Sequence, residues 1–142
     1  MAANDPRPRG VNTAFWLLVV GAVMLMLGGL MAATVSVDAL RQAAPATVSD
    51  EAVRDYARLY RGAGILFCVA AAALIAFAVR ARARDPRSRR ATVALALAIV
   101  VVVALAAVFA GTHILALLSL LPIIVGTLML GRPALLGWYA DA

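Results

Sequence analysis

A chain of 142 residues with 65% hydrophobic and only 14% charged side chains does not have the composition of a water-soluble domain. Such domains run at roughly 45–50% apolar and 25% charged, and one this small has too much surface for its volume to hide the excess. The net charge of +6 arises from 13 arginines against 7 acidic residues, with no lysine, and it lies in the gaps between apolar runs. That placement speaks against a nucleic-acid partner and for membrane topology.

The first charge-free stretch runs from Gly10 to Val37. Its apolar centre, residues 14–34, reaches the ~20 residues that cross a hydrocarbon core of ~30 Å. Arg7 and Arg9 precede it as they would in a signal peptide. The core exceeds the usual length of about 7–15 residues and no clean A-x-A site follows, so an uncleaved anchor is expected. Gly21, Gly28, Gly29, Ala32 and Ala33 give this helix a small-residue face with two small-xxx-small pairs. The face suits either internal packing or contact with another membrane protein, and Gly21, Gly28, Gly29 and Ala32 are partner-contact candidates.

An outer segment, residues 35–61, follows. Ala44-Pro45-Ala46 ends any short helix begun at Val37–Ala43. Ser49, with Asp50 and Glu51 behind it, reads as an N-cap and an acidic first turn. Asp50/Arg54 and Asp55/Arg58 have helical pairing distances, and Val53, Tyr56, Ala57 and Tyr60 share one face. The segment therefore predicts one long helix from about Asp50 to Arg80 that projects beyond the bilayer. It either lies back on the other spans or offers Tyr56, Arg58 and Tyr60 as anchors for a partner protein.

The second span, residues 62–80, is short and flanked by Arg61 and Arg80, whose stems can snorkel. Its lone Cys68 reads as a small apolar packing residue. Residues 80–90 then form a basic loop holding Arg80, Arg82, Arg84, Arg87, Arg89 and Arg90. These arginines set topology, and they are also candidates for gripping anionic lipid headgroups.

From Ala91 to Gly131 there are 41 residues without charge, about 60 Å of helix at ~1.5 Å per residue and so two crossings. The break falls at Gly111-Thr112-His113, which predicts spans at 91–110 and 114–131, the latter kinked at Pro122. Nine arginines then share the side of the N-terminus, against Arg41, Arg54, Arg58 and Arg61 on the other. Trp16, Trp138 and Tyr139 fall at the inner interface and Tyr56 and Tyr60 at the outer one. The expected architecture is all-α: a single membrane domain over 1–142, an integral membrane four-helix bundle with both termini cytoplasmic in a bacterial plasma membrane, and a projecting outer extension of the second helix.

Chemistry is sparse. His113 is the sole histidine, Ser119 and Thr127 have no base at a catalytic spacing, and no phosphate-binding or metal-ligating motif occurs. No enzyme, cofactor or metal is expected. The spans carry no charged residue, whereas ion and proton pathways place ionisable groups there. Small four-helix multidrug transporters share the length and helix count, but their carboxylate in the first helix has no counterpart among Phe15–Ala33.

In layout, charge placement and composition the chain resembles the small, Ala-rich four-helix membrane proteins of mycobacteria and related actinobacteria. Some of these are accessory subunits of envelope machines, including lipid importers of the mammalian-cell-entry type. The resemblance implies a non-catalytic accessory or stabilising subunit of a larger plasma-membrane complex that moves lipid. Its partners would be other integral membrane proteins and anionic lipids. The alternatives are a small homo-oligomeric transporter or channel and, third, a membrane enzyme using His113 or Ser119.

Overall fold

The computed structural model describes residues 6–141, and among these every regular element is an α-helix. Six helices follow in order: α1 (Arg9–Ala33), α2 (Val37–Ala43), α3 (Asp50–Arg82), α4 (Pro86–Phe109), α5 (Ile114–Leu130) and α6 (Pro133–Ala140).

Local chemistry sets most boundaries. Ser36 and Ser49 cap α2 and α3 by accepting from the N–H groups of Ala39 and Ala52, satisfying donors that the first turn leaves without helical partners. Neither Gly62 nor Gly64 interrupts α3, whose 33 residues extend about 50 Å at ~1.5 Å per residue, well beyond a ~30 Å hydrocarbon core. Gly111 turns the chain between α4 and α5 at φ +71°, a conformation glycine adopts without steric cost. His113 then caps α5, its Nδ1 accepting from the Leu115 N–H at 3.3 Å.

In its pattern of helices the structure departs from the sequence reading in three places. The arginine-rich segment is not a loop: Arg80 and Arg82 belong to α3 and Arg87, Arg89 and Arg90 to α4, leaving only residues 83–85 between helices. The cause is Asp85-Pro86, an N-cap followed by a proline at the first helical position. Pro122 lies within α5 without ending it, and a sharp bend that the sequence reading does not include, 61°, falls at the break between α5 and α6. The third departure is α6 itself, a helix beyond the four expected spans.

Length and apolarity qualify α1, α3 and α4 to cross a membrane, with α5 and α6 a fourth candidate if the bent pair is one span. Insertion is also suggested by what faces outward: Leu97, Val101, Leu105, Val108 and Phe109 on α4, and Leu121 and Leu128 on α5, are all exposed. Soluble monomers rarely expose so continuous an apolar surface.

The α1 helix packs against both α3 and α5, and α4 packs against the same two. Leu18, Leu25, Phe67, Leu74, Ile99, Val103 and Ile123 fill the space between. The closest approaches use glycine. A Cβ on Gly29 would lie 2.6 Å from the Gly64 carbonyl oxygen, and one on Gly64 would press closer still on the carbonyl oxygen of Gly29. Gly21 and Gly28 meet α5 as tightly, at Ile123 and at the Ala116 backbone. In an apolar solvent, dispersion between closely approached backbones takes over the role that water expulsion plays in soluble cores.

Candidate functional site

The two ends of the helix array are tied differently. At one end meet the start of α1, the α3–α4 turn, the end of α5, and α6. Here the six basic residues of the 80–90 segment divide into two sets. The Arg82 guanidinium lies 4.6 Å from the Phe15 ring centre. The Arg84 Nε donates to the Trp138 carbonyl at 2.9 Å, and its guanidinium lies over the Trp138 ring. The Arg89 Nε donates to the Leu130 carbonyl at 3.1 Å, capping the end of α5, with its guanidinium over Tyr139. Each cation–π contact contributes about 0.5–2 kcal/mol depending on desolvation. Arg80, Arg87 and Arg90 form the second set. They are exposed, and among the described residues none has a carboxylate within ion-pair distance.

The fastener of this end is α6. Its Tyr139 hydroxyl donates to the Ala81 carbonyl at 2.9 Å, closing the last turn of α3. Tyr139 and Leu135 form a small apolar cluster with Val11 of α1. The sequence did hold a signal for it: Gly131-Arg132-Pro133 is a helix stop followed by a helix start, with apolar residues at 135, 136, 138 and 139 behind it.

Asp85 sits at the centre of the turn. The Ser88 hydroxyl, then the Arg87 and Ser88 backbone N–H groups and the Arg87 charge, hold its carboxyl below the usual carboxylate range against a smaller opposing effect of burial. A carboxylate whose folded pKa is depressed stabilises the fold above its unfolded pKa, and the contribution is lost as pH falls through the folded value. Asp85→Ala is therefore expected to lower the melting temperature at neutral pH. The difference from the parent should shrink in acid, which melting curves on the two proteins across pH will show.

At the opposite end the expected docking anchors are partly engaged within the chain. The Tyr56 hydroxyl donates to the Ala110 carbonyl at the end of α4, and its ring stacks on Tyr60 at 5.7 Å between centres. Burial, then the neighbouring Tyr56, pushes the Tyr60 hydroxyl above its ordinary range. Arg58 is exposed and pairs with Asp55 at 3.3 Å, as its spacing predicts. The expected Asp50–Arg54 pair does not form; Asp50 instead lies 3.4 Å from Arg41 of α2, across the 44–49 connection. Arg61 reaches back to the Val35 carbonyl with two N–H groups, at 2.7 and 2.9 Å. Between α2 and α3 lies an open apolar concavity of about 400 Å³ lined by Leu40, Val48, Val53 and Tyr56.

The small residues of α1 are placed inside the chain: Gly21 and Gly28 against α5, and Gly29 and Ala32 against α3. They serve internal packing, the first of the two roles their spacing allows. Ser119 and Thr127 are buried and bond carbonyls of their own helix, the usual resolution for hydroxyls inside apolar helices. Cys68 is partly buried, its sulfur 3.5 Å from the Met26 carbonyl. Among the described residues no group of three or more His, Cys, Asp or Glu side chains is placed to hold a metal ion.

These features define an all-helical protein with three to four helices capable of spanning a membrane and an arginine-rich end stapled by a C-terminal helix. Comparison with protein-family models, with curated proteins and with solved structures finds no match for the chain.

Proposed function

We propose that this protein is a membrane-embedded four-helix bundle with both termini and the arginine-rich end on the cytoplasmic side of a bacterial plasma membrane. There it acts as a non-catalytic accessory or stabilising subunit of a larger complex that moves lipid. The orientation rests on the arginine asymmetry, since short basic segments are retained on the cytoplasmic side.

One feature carries the subunit reading. On α4, Ala94 and Ala98 stand one helical turn apart and remain exposed after the chain has packed. Ala98 borders an entirely apolar groove of about 170 Å³ between α3 and α4, lined also by Leu66, Ala70, Leu95 and Val102. Small residues beside an apolar groove let a second transmembrane helix approach closely, and in lipid this approach is a main source of association energy. The α1 glycines cannot serve this purpose, because α3 and α5 already occupy them.

The test is gentle detergent purification of the tagged protein with mass spectrometry of what accompanies it. A larger membrane protein in near-fixed ratio is expected. Ala94→Leu with Ala98→Leu should reduce that partner by about tenfold while the chain still elutes as a folded species. A homogeneous particle of this chain alone would overturn the subunit reading and favour a homo-oligomeric transporter.

A further inference from the structure

The geometry points to an anionic phospholipid headgroup bound at the α3–α4 turn by Arg80, Arg87 and Arg90, the proposal resting on the membrane placement above but not on the subunit role. Three observations converge on these residues. First, they are the members of the basic segment that the fold does not use: Arg82, Arg84 and Arg89 are engaged by aromatic rings or backbone carbonyls. Second, Arg87 and Arg90 sit in the opening turns of α4, whose first turn contains no acidic residue. The positive end of a helix dipole disfavours cations there, and two like charges three residues apart repel each other as well.

Intramolecular electrostatics therefore work against this arrangement, and an external anion would reverse the sign. Asp85 offsets only part of this: its carboxylate caps α4 and attracts the Arg87 charge, but among the described residues Arg90 has no carboxylate within ion-pair distance. Third, the location suits a headgroup. The arginines flank a turn of only three residues, 83–85, joining two helices of membrane-spanning length. Their charged tips thus fall where hydrocarbon gives way to phosphate.

The engaged set makes the site rigid. With Arg84 and Arg89 fixed to Trp138 and Leu130, the turn is held in place before any lipid arrives, which lowers the ordering cost of binding. The guanidinium groups recognise the phosphate of a headgroup with net negative charge, and the choline cation of phosphatidylcholine offsets that charge.

The experiment uses the full chain in detergent, titrated with short-chain phosphatidylglycerol or phosphatidylcholine, with bound lipid counted by native mass spectrometry. Phosphatidylglycerol is expected to bind in preference to phosphatidylcholine. Arg87→Gln with Arg90→Gln should weaken it by about 30-fold, the effect of removing two cations from a membrane surface. Arg87→Lys with Arg90→Lys should retain most of the binding.

The control removes two exposed arginines from the other end, Arg54→Gln with Arg58→Gln, and should leave phosphatidylglycerol binding unchanged. Equal losses in both glutamine pairs, or none in either, would overturn the site. Binding of glycerol phosphate as tight as that of the lipid would overturn the headgroup in favour of a free anion. Failure of the chain to enter nanodiscs of either lipid would instead overturn the membrane placement, and this proposal with it.

Discussion

Gly64→Leu should prevent the chain from forming its packed helical array. A Cβ at this position would collide with the Gly29 carbonyl oxygen and stand 2.6 Å from the Ala33 nitrogen and 2.9 Å from the Ala32 Cβ. Two of these three are backbone atoms of α1, so no side-chain rotation can relieve the contact. Overpacking a core usually costs about 1–3 kcal/mol, and here α1 and α3 must separate along their shared face. Leucine should therefore exceed that range and give aggregated or expanded protein on size-exclusion chromatography. Two residues away, a Cβ added to Gly62 would meet nothing within 4 Å. Gly62→Leu is the matched control and should leave the melting temperature level or raise it, since glycine inside a helix costs up to ~1 kcal/mol. Similar losses from both substitutions would show that the α1–α3 approach is not the close contact described.

The second large effect is expected at Tyr139. Its side chain is 3% exposed, it packs on Val11 and Leu135, and its hydroxyl closes the end of α3 at Ala81. Truncating a buried aromatic costs about 3–5 kcal/mol, more than an eight-residue helix can supply from its remaining contacts. Tyr139→Ala should therefore release α6 while α1, α3, α4 and α5 stay packed. Limited chymotrypsin digestion reads this directly, because Leu136 and Trp138 lie within α6 and cleavage after them should accelerate strongly in the variant. Tyr139→Phe removes only the hydroxyl and leaves the Ala81 carbonyl without its partner, at about 1–3 kcal/mol. Cleavage in that variant should rise modestly. Rates unchanged in both would mean that α6 is held by something other than Tyr139.

The two substitutions also separate what is legible in the sequence from what is not. The Ser49 cap and the long α3 are legible because capping and helical continuity depend on neighbours in sequence. The same holds for the break at 111–113. Small-residue spacing on α1 is legible as packing surface, but its partner is not: which of α3, α5 or another protein meets Gly21 or Gly29 depends on the relative rotation of whole helices. The pairing of Asp50 differs from its sequence expectation for a related reason. Spacing along α3 offers Arg54, and the fold brings in Arg41 from across a connection.

By itself, then, the sequence determined the apolar helices of spanning length, their approximate limits and the concentration of arginine at one end. All follow from composition and from interactions within a few residues. Only the tertiary structure decided that Arg82, Arg84 and Arg89 are engaged while Arg80, Arg87 and Arg90 are left over. It alone placed the α1 glycines inside and left Ala94 and Ala98 outside. Six arginines within eleven residues are chemically equivalent on paper. They become different when Phe15, Trp138, Tyr139 and the Leu130 carbonyl, distant in the chain, arrive beside three of them.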